Sequence, residues 1–132
     1  MTPETIRIVQ ESFKKVVPIA PIAADIFYER LFEIAPELRS LFPVEMSDQK
    51  EKLMQMLGTA INGLKNLEVI LPAIQALGKR HQEYGVQDEH YDLVGEALLY
   101  TLEKGLDDSW TNELKAAWTE VYTTVATVMK EA

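Results

Sequence analysis

Apolar residues recur at three- and four-residue spacing along almost the whole chain, and nowhere do they settle into the alternation of a strand. The stripes are Ile6, Val9, Phe13 and Val16, then Ile22, Ile26, Phe27 and Leu31, then Leu53, Leu57, Ile61 and Leu64. Three more follow: Ile70, Ile74, Leu77 and His81, then Tyr91, Val94, Leu98 and Leu102, and finally Leu114, Ala117, Val121, Val125 and Val128. Each covers one face of a helix. The pattern therefore predicts an all-α chain of six longer helices plus short pieces.

The punctuation agrees. Thr2 and Pro3 suit a helix cap and first-turn proline. Pro18 and Pro21 break or redirect the first helix, and the second stops before Pro36. The stretch PELRSLFP reads as a short helical piece between two prolines. Ser47 or Asp48 can cap the third helix, Asn66 ends it, and the fourth begins near Leu67. Gly85, in a left-handed conformation, would stop the fourth. Asp88 is a good cap for the fifth, and Ser109 or Thr111 starts the sixth.

Length and composition narrow the function. A chain of 132 residues fits one domain, residues 1–132, and 47% hydrophobic with 26% charged residues is a globular composition. The net charge of −8 argues against a nucleic-acid partner, which calls for a basic patch. No cysteine is present, which excludes disulfides, thiolate metal sites and cysteine nucleophiles. No signal-peptide pattern opens the chain and no stretch is long enough for a membrane span, so the cytoplasm is the expected location.

Most catalytic signatures are missing: no GxGxxG, phosphate loop, HExxH or nucleophile elbow occurs. His81 is the unusual residue, because it continues the apolar stripe of Ile70, Ile74 and Leu77. A histidine on such a face needs partners for its ring nitrogens. It is either a core histidine bonded to a carbonyl or the axial ligand of a haem iron, which takes one neutral imidazole in an apolar slot. Spacing and composition leave both readings open.

The stretches IFYERLFEIAPELRSLF (26–42), QKEKLMQML (49–57), NLEVILPAIQALGKRH (66–81), EHYDLVGEALL (89–99) and AAWTEVY (116–122) agree in order and spacing with one family. The chain resembles a bacterial single-domain globin related to the haem domain of flavohaemoglobins. That resemblance implies a globin fold around a haem pocket and a haem b cofactor. It matches His81 to the proximal iron ligand and Tyr28 to the distal tyrosine. Phe42 matches the phenylalanine packed on the haem face, and Gln49 and Leu53 match the distal-helix pair facing the gas. Tyr91 matches a tyrosine near the proximal side, with Val86 and Val94 lining the slot. His90 matches no role and reads as a surface residue.

One departure is expected. In flavohaemoglobins a glutamate near the end of the last helix joins the proximal tyrosine and histidine. Here the chain stops at Ala132, short of that position, and Glu131 falls a turn or more too early. The electron push that the glutamate supports is therefore not expected.

The resemblance implies a protein that holds dioxygen tightly at ferrous iron, for storage or transport, and also takes nitric oxide and carbon monoxide. The phenol of Tyr28 and the amide of Gln49 would favour a polar ligand, while Leu53 and Phe42 limit water. The alternative is a nitric oxide dioxygenase for detoxification. That reading needs a separate reductase, because no reductase domain is expected in this chain. Whether the protein is an enzyme is left open between the two.

Overall fold

In the computed structural model, which describes residues Met1 to Ala132, six α-helices account for most of the chain. They are α1 (Pro3–Val16), α2 (Ala20–Ile34), α3 (Ser47–Asn62), α4 (Leu67–Glu83), α5 (Asp88–Leu106) and α6 (Asn112–Lys130). Short 3₁₀ turns fill the joints at Val17–Ile19, Pro36–Leu41, Leu64–Asn66 and Asp107–Ser109. Thr2 caps α1 by accepting the Thr5 N–H at 3.1 Å, and Thr111 caps α6 by accepting the Leu114 N–H at 3.2 Å. The two prolines at 18 and 21 fall in the turn and in the first turn of α2, where a missing N–H costs least.

Five local expectations need correction. Ile22 is 58% exposed, and α2 instead buries Ala23, Ala24, Phe27, Tyr28 and Leu31. A stripe drawn through the large apolar residues misses this face, because two alanines open it. Ser47 and Asp48 do not cap α3: Ser47 is already helical, and its N–H and hydroxyl both donate to the Glu45 carboxylate, at 2.9 and 2.6 Å. The α-helix also ends at Asn62, with Asn66 closing a separate tight turn. Asp88 is the first helical residue of α5 and not its cap. There the Gln87 N–H donates to Nδ1 of His90 at 3.0 Å, so His90 is half-buried and anchors the helix start, not a bystander on the surface.

The helices pack around two central members, α5 and α6. α2 lies on α5, both α1 and α4 lie on α6, and α3 leans on α2. Trp118 locks α6 to α1: it is 2% exposed, and its indole N–H donates to the Ser12 hydroxyl at 2.9 Å. That hydroxyl in turn donates to the Ile8 carbonyl at 2.8 Å, so no polar atom of this contact is left unpaired. On the other side Gly78 lets α4 come against α6, since a Cβ there would sit 2.4 Å from the Met129 carbonyl oxygen. α3 and α4 scarcely touch, although only the Leu64–Asn66 turn and Gly63 separate them.

The buried apolar residues accordingly form two clusters. The larger includes Phe13, Phe27, Tyr28, Leu31, Leu102 and Trp118. The smaller holds Ile74, Tyr91, Ala126 and Met129, from α4, α5 and α6. Tyr122, half-buried, packs against both. A core split in this way leaves half-buried apolar side chains on either side of the division, Leu53 and Phe42 with the larger cluster, Leu77 and Val86 with the smaller.

Candidate functional site

The last turn of α4 fixes His81 through three bonds. Gly85, at φ 91°, allows a Schellman ending in which the Val86 N–H reaches the His81 carbonyl at 3.0 Å and the Gly85 N–H reaches that of Gln82 at 3.1 Å. The side chain is tied as well: Nδ1 lies 2.8 Å from the Leu77 carbonyl oxygen. A carbonyl can only accept, so Nδ1 carries the proton and Nε2 presents its lone pair. Nε2 makes no bond within the protein. Burial holds the imidazole pKa below its usual value; the bond to Leu77 opposes this and the nearby Arg80 charge adds to it. At neutral pH the ring is therefore neutral with one free nitrogen, the state a metal ligand requires. Elsewhere no three histidine, aspartate or glutamate side chains gather to hold an ion.

A second group of residues lies on α2, α3 and the segment between them. Tyr28 is 4% exposed, and its hydroxyl accepts a hydrogen bond from Nε2 of Gln49 at 3.2 Å. The phenol proton is thereby left free for another acceptor. Burial raises the Tyr28 pKa, and the Gln49 bond only partly offsets it, so the group keeps its proton at neutral pH. Its ring stands edge-on to Phe42 at 5.5 Å and to Phe27 at 4.9 Å. Leu53, one turn beyond Gln49 on the same face of α3, is half-buried against the larger cluster.

The structure thus joins Tyr28, Gln49 and Phe42 directly, with Leu53 and Val94 packed against the same cluster. Val86 and Tyr91 fall with the smaller cluster, on the side of α4. No hydrogen bond or ring contact of His81 reaches the first group; its nearest ring neighbour is Tyr84 at 6.3 Å. The candidate residues therefore divide between two walls, each with its own core. A flat apolar group with one vacant metal position fits this arrangement: a free imidazole nitrogen on one wall, apolar side chains on both, and a phenol with an amide on the other.

Sequence reasoning missed three supports. Phe32, four residues after Tyr28, completes the aromatic group at 5.5 Å from Phe42 and 5.9 Å from Tyr28. The i, i+4 spacing was the available signal. Tyr122 donates to the Tyr91 carbonyl at 2.6 Å and lays its ring over Gly95, where a Cβ would come within 2.8 Å. Gly95, four residues after Tyr91, marks that close approach. Arg39 bonds to the backbone of the segment after Phe42, a contact no spacing rule announces.

Comparisons with known proteins identify the family. The globin family profile matches residues 25–129. Neuroglobin-1 of Oncorhynchus mykiss is 34% identical over 118 residues, covering 79% of this chain and 74% of that protein. A flavohemoprotein of Vibrio cholerae is 28% identical over 131 residues, 97% of this chain but only 33% of its own length. Among solved structures, an engineered carbene transferase made from a Rhodothermus marinus protein described as a nitric oxide dioxygenase superposes with a TM-score of 0.89. It is 28% identical, with 99% of this chain and 92% of that chain covered. A bacterial globin from Campylobacter jejuni shares the fold at a TM-score of 0.85, with 23% identity over 98% and 97% of the two chains. The profile spans both walls of the site, and this chain belongs to the globin family, whose members bind diatomic gases at haem.

Proposed function

We propose that residues 1–132 form one domain that holds a non-covalent haem b through His81 and binds dioxygen tightly for storage or transport. The observation that carries the reading is the His81 imidazole, whose Nδ1–H is committed to the Leu77 carbonyl while Nε2 has no protein partner. A backbone acceptor on the far nitrogen fixes the tautomer and orients the ring of a ligating histidine. The absence of cysteine in the chain leaves no thiol for covalent attachment of a porphyrin, which favours the b type.

Haem, when bound, supplies an iron with one position left open to a diatomic gas. On this reading Phe42, Leu53 and Val94 pack on one face of the slot, and Val86 and Tyr91 support the other. They exclude water from a site whose polar groups are few. Tyr28 and Gln49 act as a pair: the Gln49 amide donates to the phenol oxygen, and the phenol proton is directed to the gas. A hydrogen bond toward a ligand that takes on negative charge is worth roughly 1.5–3 kcal/mol. Dioxygen gains more from this donor than the less polar carbon monoxide does.

Titration of the purified chain with hemin tests the reading. One equivalent should give a Soret band, and reduction followed by air should give a stable oxygenated spectrum. A chain that leaves hemin with its free absorption overturns it.

The likeness to a protein described as a nitric oxide dioxygenase, and to a flavohemoprotein, favours a second reading. Here the same pocket serves conversion of nitric oxide to nitrate, with a separate reductase returning the iron to the ferrous state. Sustained nitric oxide consumption in the presence of a flavin reductase and NADH supports it, and a single turnover that then stops favours storage or transport.

A further inference from the structure

The segment from Phe42 to Met46 connects the last 3₁₀ turn before α3 to α3 itself, and so spaces Phe42 from Gln49. It has little apolar anchorage of its own. Val44 is 94% exposed, Pro43 and Glu45 are exposed, and only Phe42 and Met46 are half-buried. A segment with so few buried contacts is mobile unless polar bonds hold it.

Arg39 supplies those bonds. Its Nη1 donates to the Pro43 carbonyl at 2.8 Å and, more weakly, to that of Phe42 at 3.4 Å. Its Nη2 donates to the Val44 carbonyl at 3.1 Å. Three successive carbonyls thus converge on one guanidinium, which enters none of the chain's ion pairs. The same guanidinium lies over the Phe32 ring at 5.2 Å, and Phe32 stands against both Phe42 and Tyr28. At the other end of the segment Glu45 holds the first residue of α3.

We infer that Arg39 is a positioning residue: by latching the backbone from Phe42 to Val44 onto the aromatic group, it sets where Phe42, Tyr28 and Gln49 stand relative to one another. The planar fork is what the role requires. A lysine brings the same charge on one flexible point and cannot span carbonyls that a guanidinium bridges. The inference rests on the proposed roles of Phe42, Tyr28 and Gln49 for its functional consequence, while the latch itself is a property of the chain without haem.

Two variants, Arg39→Lys and Arg39→Met, test it with two readouts. In the haem-free chain, hydrogen exchange at the bonded amides that flank the segment, Phe42, Ser47 and Lys50, should rise about tenfold in both variants, the effect of losing about one bond's worth of holding energy. Exchange in α1, α5 and α6 should stay as in the wild type. In the haem-loaded chain, the stretching frequency of bound carbon monoxide, which reports the field of the distal donors, should broaden and move upward in both. Unchanged local exchange and an unchanged frequency in Arg39→Met overturn the inference. Full restoration of both by lysine overturns the fork and leaves charge alone. Exchange raised equally in every helix makes Arg39 a general stabiliser, which also overturns it. If the wild-type chain takes up no hemin, the proposed function fails, and the exchange measurement still decides whether Arg39 latches the segment.

Discussion

Replacing Tyr28 by phenylalanine deletes one oxygen atom and leaves the ring, which is 4% exposed and packed edge-on to Phe27 and Phe42, in place. The fold loses only the long Gln49–Tyr28 bond of 3.2 Å, worth about 1 kcal/mol for a neutral pair, and recovers part of that by no longer burying a hydroxyl. Thermal unfolding of the haem-free variant should therefore stay close to the wild type. Ligand release should not. The phenol proton is left uncommitted by the protein, because the Gln49 amide donates to the phenol oxygen and does not accept from it. Removing a donor to a charged acceptor costs roughly 1.5–3 kcal/mol, and at about 1.4 kcal/mol per factor of ten the dioxygen dissociation rate should rise some tenfold to a hundredfold. Stopped-flow mixing of the oxygenated protein with excess carbon monoxide measures that rate directly. The carbon monoxide dissociation rate, measured by displacement with nitric oxide, should change much less and serves as the internal control. A variant that releases dioxygen at the wild-type rate refutes the reasoning, and one that accelerates both gases equally shows that Tyr28 acts by shape and not by its proton.

Further outcomes are expected. His81→Ala removes the only free imidazole nitrogen of α4, so the variant should show no Soret band with added hemin while keeping helical circular dichroism; an undiminished band sinks the ligand assignment. Gly78→Ala places a methyl 2.4 Å from the Met129 carbonyl oxygen, so α4 and α6 must part, at a cost of about 1–3 kcal/mol that should appear as a lower melting temperature. An unchanged melting temperature would show that the two helices adjust freely. Burial raises the phenol pKa of Tyr28, Tyr91 and Tyr122 above the ordinary value of 10.0. Each phenol then holds its proton more tightly in the folded chain than in the unfolded one. That part of the stability is complete below pH 10 and is lost as pH rises toward the folded-state values. Urea midpoints for the haem-free chain should fall from pH 9.5 to pH 11, and Tyr122→Phe should flatten the fall; a midpoint independent of pH in that window contradicts it.

Much of the fold and of the site was legible because both are written at short range. The stripe through Ile74, Leu77 and His81 places the imidazole on the inner face of α4 by rotation about a single axis, and Gly85 stops that helix through its own backbone freedom. The same rotation sets Gln49 and Leu53 side by side. Where the reading slipped, either the packing of another helix or a competing local hydrogen bond decided. Ile22 is exposed because Ala23 and Ala24 let α2 approach α5 on a different face. His90 is anchored because its ring nitrogen meets the Gln87 N–H, and Ser47 gives up the capping role because Glu45 takes its hydroxyl.

The sequence by itself therefore determined the six helices, most of their ends, and that His81 continues the apolar stripe of α4, while its family resemblance named Tyr28 and Gln49 as candidates. Only the tertiary structure decided what these groups do to one another. It put the Gln49 amide on the Tyr28 oxygen, laid Tyr122 over Gly95, brought Met129 against Gly78, and divided the core so that α3 and α4 stand apart. The reason is geometric. Periodicity fixes the angle of a side chain about its own helix, whereas distance between two helices is set by the smallest residues at their contact, and what they meet can lie about fifty positions away in the chain, as the Met129 backbone does from Gly78.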